Sequence, residues 1–223
     1  MFVLTVDQKD SRRVGDRVPD VLAALVDRQG LVLPFERTVG DEVQGVLADA
    51  PAVVDLVLDL LRRGGWSVGI GTGAVDLPLP ASARAASGAA FVLAREAVEA
   101  AKSRARSVPL AVRGASPTAA ADAEAVLTLV AAIAARRSTA GWAAIDTLRS
   151  VDAEATRVLG GAPLVGPDGP RAAAVVGVAR QQEVARRLGV SQQAVSQRLR
   201  AALWADEVAA RPAAARLLTA AAG

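Results

Sequence analysis

The segment Gln181–Leu203, QQEVARRLGVSQQAVSQRLRAAL, constrains local structure more tightly than any other part of the chain. A small residue, Ala185, stands where two helices could cross closely. Gly189 follows at a position where a tight turn needs the left-handed backbone that glycine adopts at least cost. Ser191 is a natural N-cap, because its hydroxyl oxygen can accept a hydrogen bond from the first turn of a following helix. Val190, Val195 and Leu199 recur at the spacing that holds two short helices at an angle. The pattern predicts a helix-turn-helix over 181–203.

In that arrangement Gln192, Gln193, Ser196 and Gln197 fall on the outer face of the second helix, near its N-terminus. A glutamine amide can pair with an adenine edge, and hydroxyls serve any base or phosphate. Arg186, Arg187, Arg198 and Arg200 flank this face against a single Glu183, placed to neutralise phosphates and set register. The expected partner is double-stranded DNA. A homodimer is expected too, because one motif of this size buries too little surface for tight specific binding. The plain alternative is a helical hairpin that packs against the rest of the protein. Trp142 and Trp204 are expected as core anchors of the helical part.

Composition narrows the chemistry. The chain has 223 residues, enough for one medium domain and a small one. Hydrophobic residues make up 52% and aromatics 3%, so the core must be built from Val, Leu, Ile and Ala. Cysteine and histidine are absent. That excludes disulfides, thiolate metal sites and thiol catalysis, and removes the commonest general base. The net charge is +3 and the pI about 10.4, a high value that follows from having almost nothing to titrate between carboxylates and bases. No apolar run approaches the length needed to cross a bilayer, and MFVLTVDQKDSRR lacks a signal-peptide layout. The expectation is a cytoplasmic protein with no membrane partner.

Upstream, strand and helix signals alternate. Phe2–Val6 is a short β-rich run, and Val18–Val26 is apolar at helical spacing. Leu31–Thr38 reads as a strand, Gly40-Asp41 as a turn, and Val43–Leu47 as the returning strand of a hairpin. Pro51 opens a helix with Val54, Leu56, Leu58 and Leu61 on its apolar face, ended by Gly64-Gly65. Trp66–Val75 is another strand. A helix from about Gly88 to Lys102 and a strand near Val108–Val112 complete the set. The order β-α-β-β-α-β is that of a ferredoxin-like sheet with helices on one face. At Gly114–Thr118 the composition shifts, and helical spacing takes over. The stretch 160–170, with four glycines and three prolines, reads as a loop or hinge. The expected fold class is therefore α+β: a ferredoxin-like, palm-like domain over 1–115, then an all-α domain over 116–223 that carries the helix-turn-helix.

Two acidic positions stand out in the first domain. Asp7 closes the first strand, and Asp41 sits at the hairpin turn with Glu42 beside it. Adjacent strands lie about 4.8 Å apart, so these carboxylates could share a hard cation such as Mg²⁺, which would bring a nucleotide with it. The ordinary alternative is that acids at strand ends and hairpin tips are solvated or shape turns.

The segments TVDQKDSRR, TVGDEVQGVL, SVGIGTGAV and SGAAFVLAREAVEAAK together resemble the SatD family of small bacterial proteins. The resemblance covers most of the chain, includes a C-terminal helix-turn-helix, and implies a fold more than a reaction. The same N-terminal pattern is similar, more distantly, to the palm-like domain of class III nucleotide cyclases. That likeness implies metal-binding roles for Asp7 and Asp41 and a nucleotide-binding role for Arg95. Phe91 stands where those enzymes need an asparagine, and Lys9 is in the wrong segment to select a base, which argues against turnover. No residue is assigned as catalytic and no cofactor is certain. The expected function is a DNA-binding transcriptional regulator whose N-terminal domain senses or dimerises. The alternatives are a metal-dependent nucleotide-binding or nucleotide-processing enzyme with a DNA-targeting module, and an adaptor that only docks partners.

Overall fold

The computed structural model describes residues 1–158 and 169–223. In chain order the elements are β1 (Phe2–Gln8), α1 (Ser11–Val14), α2 (Val18–Leu25), β2 (Leu31–Arg37), β3 (Glu42–Leu47), α3 (Ala50–Arg63), β4 (Trp66–Thr72), α4 (Ala89–Ala101), β5 (Leu110–Gly114), α5 (Pro117–Ala135), α6 (Thr139–Val158), α7 (Gly169–Leu188), α8 (Gln192–Ala201) and α9 (Trp204–Ala221). The fold is α+β. The chain divides into two compact units, residues 1–132 with 209–223, and residues 133–208.

The first unit is built on one five-stranded sheet in the order β2-β3-β1-β4-β5. All neighbours are antiparallel except β4 and β5. Alternation sorts the side chains of β1 onto two faces. Phe2, Leu4 and Val6 join Val43, Val68, Ile70 and Leu110 in a core with α2, α3, α5 and the last turns of α9. Val3 faces the other way, packing with Val46 and with Ala90, Phe91 and Ala94 of α4. Helices therefore cover both faces of the sheet, not one. The reason lies in β4: its Gly69 and Gly71 present no side chain to α4. A Cβ on Gly69 would meet the Val98 nitrogen at 2.2 Å, and one on Gly71 the Ala90 oxygen at 2.1 Å. Only glycine lets that helix lie so close to the strand.

The boundary also differs from the expected 115/116. Composition changes at Gly114–Thr118, but α5 belongs with the sheet: Ala120, Ala123, Leu127, Val130 and Ala131 are part of its core. Ala214, Ala215, Leu218 and Ala221 bring the end of the chain back into the same core. By length and mean hydropathy (1.6) alone, α5 is also apolar enough to cross a bilayer, although Asp122 and Glu124 break its apolar run.

The second unit holds α6, α7, α8 and the start of α9. Its core is Ala144, Ile145, Leu148, Val151, Val184, Ala185, Val195, Leu199 and Ala202, with Trp142, Leu188, Val190 and Trp204 packed around it. Most of the Gly- and Pro-rich stretch read as a loop, 160–168, lies outside the described residues; α7 begins at Gly169.

Candidate nucleic-acid interface

The turn between α7 and α8 is closed by backbone bonds of a recurring type. The Val190 N–H donates to the Ala185 carbonyl at 3.1 Å and the Gly189 N–H to the Arg186 carbonyl at 3.4 Å. Gly189 has φ of 64°, the left-handed residue that this helix ending requires. Ser191 then caps α8, its Oγ accepting from the Ala194 N–H at 3.2 Å. Val195 and Leu199 are buried, which fixes the rotation of α8 about its axis. Gln193, Gln197 and Arg200 are consequently exposed, with Ser191 at the exposed N-terminus. Gln192, Ser196 and Arg198 are half-buried.

The arginines differ in availability. Arg186 is tied to Glu183 by two bonds, at 2.8 and 2.7 Å. Arg187 bonds Glu183 at 2.7 Å and makes a two-pronged pair with Glu154 of α6 at 2.9 and 2.6 Å. These guanidiniums hold the Glu183 and Glu154 carboxyls down to about 2. Among the described residues no carboxylate pairs with Arg198 or Arg200; Arg200 only touches the Ser196 hydroxyl, at 3.4 Å. Glu154 is a partner that the sequence did not reveal, because it comes from a different helix.

The acidic positions of the first unit also come together, though not as expected. The register partner of Asp7 is Glu42, not Asp41. Asp41 contributes a carbonyl that accepts the Gln8 N–H at 3.3 Å. Burial pushes the Asp7 carboxyl above its ordinary value; Lys102 opposes this, while Asp41 and Glu42 add to it. The Lys102 ammonium lies 3.1 Å from Asp7 and 2.7 Å from Glu99. Burial lowers Lys102, but its two carboxylate partners outweigh that and raise it. Glu42 accepts from the Thr38 hydroxyl at 2.6 Å and faces Arg95 at 3.5 Å. Asp7 and Glu42 are thus met by cations of the chain itself, and among the described residues no group of three or more acids is arranged to hold a metal ion. Phe91 is a core residue. Lys102 was missed from the sequence although a signal existed: it continues the four-residue row of Ala94 and Val98 that faces the sheet. Beside the cluster a cavity of about 460 Å³ is lined by Thr38, Gln44, Arg84, Phe91 and Arg95 among others.

No family model, curated protein or solved structure matches this chain.

Proposed function

We propose that this protein binds duplex DNA as a transcriptional regulator, through a helix-turn-helix formed by α7 and α8, with the sheet-bearing unit in a sensory or dimerising role. One observation carries the reading: α8 buries Val195 and Leu199 and leaves Gln193, Gln197 and Arg200, which pairs with no carboxylate among the described residues, outward, with Arg198 beside them. Polar amides at the front of a short capped helix suit base edges, and guanidiniums in its last turn that no described carboxylate neutralises suit phosphates. The proposal keeps the resemblance of the sequence to the SatD family and a ferredoxin-like order β1-α2-β2-β3-α3-β4 for the first unit. A homodimer would present two such helices to half-sites about 34–36 Å apart.

The test is anisotropy of labelled duplex genomic fragments titrated with full-length protein across a salt series. Arg198→Ala and Arg200→Ala should weaken binding to every fragment. Each should also flatten the dependence of log K on log salt by about 0.9 for every phosphate left without its cation. If the wild-type protein retains no duplex at low salt, the proposal fails.

A second reading concerns the first unit. Arg84 and Arg95 line the cavity beside Glu42 together with one acid, Glu96; the excess of cations favours an anionic ligand such as a nucleotide, bound without turnover. A rise in thermal midpoint with nucleotide that is lost in Arg84→Ala and Arg95→Ala supports it. No rise with any nucleotide, with or without Mg²⁺, rejects it.

A further inference from the structure

The outward side of α8 has an uneven chemistry. From Ser191 to Gln197 its polar side chains are serines and glutamines only, and the cations begin at Arg198. Gln193 and Gln197 are one turn apart, so their side chains stack on a single helix face, and both are exposed. Among the described residues no hydrogen bond engages either amide. Two arginines that could have reached toward the groove from α7, Arg186 and Arg187, are held instead by Glu183 and Glu154.

Base-edge chemistry turns this distribution into a preference. In the major groove adenine offers an acceptor at N7 and a donor at N6, which a glutamine amide matches with its NH₂ and its carbonyl together. Guanine offers two acceptors, N7 and O6, so the same amide carbonyl would face an acceptor; guanine is read best by arginine or lysine. A reading face with two free amides and no cation in its first seven positions is therefore complementary to adenine. Spacing adds a second constraint. Four residues of helix advance about 6 Å, and base pairs of one strand succeed each other every 3.4 Å, so the two amides span about two base steps.

We infer that this chain selects duplex DNA whose half-site carries two A·T pairs about two steps apart, with Gln193 reading one adenine and Gln197 the other. The inference rests on the DNA-binding reading above and adds the class of sequence recognised. Arg198 and Arg200 then serve the backbone and contribute affinity without choosing a base.

The experiment is selection from a pool of random duplexes by the full-length protein, repeated with Gln193→Ala, Gln197→Ala and Gln197→Arg. Both positions are exposed, so thermal midpoints should match the wild type and certify the fold. The wild type should enrich A·T at two positions. Each alanine variant should lose the preference at one of them and bind the selected site about 5- to 150-fold more weakly, the range covered by one bidentate pairing. Gln197→Arg should move the preference at its position toward G·C. Enrichment of G·C by the wild type, or preferences unchanged in all three variants while binding persists, overturns this inference and leaves DNA binding standing. A wild-type protein that retains no duplex from the pool overturns both.

Discussion

Arg137 is held almost entirely out of water, with its side chain 1% exposed and that of its partner Glu207 3% exposed. The two groups lie 2.5 Å apart. The Arg137 Nε also donates to the Ala202 carbonyl at 2.7 Å. Its guanidinium carbon lies 4.9 Å from the Trp142 ring centre and 5.8 Å from that of Trp204. The two tryptophans thus pack around a buried cation as well as the helical core. Glu207→Gln keeps the shape but leaves that cation unpaired, and should cost about 3–5 kcal/mol in urea unfolding. A paired replacement, Arg137→Met with Glu207→Leu, should recover most of the loss; if it falls as far as the single change, the pair is not what matters there. Asp7 supplies a second prediction. Its folded-state pKa is raised above the ordinary 3.8, so the folded state favours the protonated carboxyl. Its stabilising contribution is complete below that ordinary value and is lost as pH rises through the folded one. Asp7→Asn should therefore gain ground on the wild type from pH 3 toward neutrality in urea midpoints, while Lys102 stays charged throughout. Lys102 was readable from its helical row. The Arg137–Glu207 pair was not, because nothing local joins the α5–α6 connection to α9.

At the scale of elements, helices and strands were legible wherever one face alternates or repeats. The hairpin of β2 and β3, the start of α3 at Ala50 with Pro51, and the Gly189–Ser191 turn follow local rules that the chain obeys. What periodicity could not tell was which face of the sheet a helix takes; Gly69 and Gly71 held that information, but only beside the helix backbone they admit. Nor could counting charges show that Arg186 and Arg187 of α7 are engaged. Glu183 pairs with both Arg186 and Arg187, so on the proposed DNA-binding function it competes with phosphates for these two cations. Glu183→Ala should release Arg186, whose side chain is already 72% exposed. The expected result is tighter binding to all duplexes and a salt dependence steeper by about 0.9 for each further phosphate neutralised. An unchanged slope would mean that Arg186 points away from the duplex path.

The whole molecule is threaded in a way that composition hides. Residues 1–132 and 209–223 build one unit, and 133–208, including α8, form the other between them in sequence. A linear reading places a boundary where glycine, serine and proline cluster, at 114–118, because turns are written locally while membership of a core is decided by packing between distant segments. The final residues carry the consequence. Leu218 is fully buried, and with Ala214, Ala215 and Ala221 it belongs to the same core as residues of α3 and α5. Leu218→Ala should cost about 2–5 kcal/mol, the range for emptying a buried leucine site. Ending the chain after Val208 removes all four residues at once. Hydrogen exchange should then show lost protection in β1, β4 and α3, while the amides of α6 and α8, whose core is Ile145, Leu148, Val195 and Leu199, stay protected. Protection retained across the sheet would show that the first unit closes its core without the tail. Uniform loss in both units would show that the two cores stand or fall together.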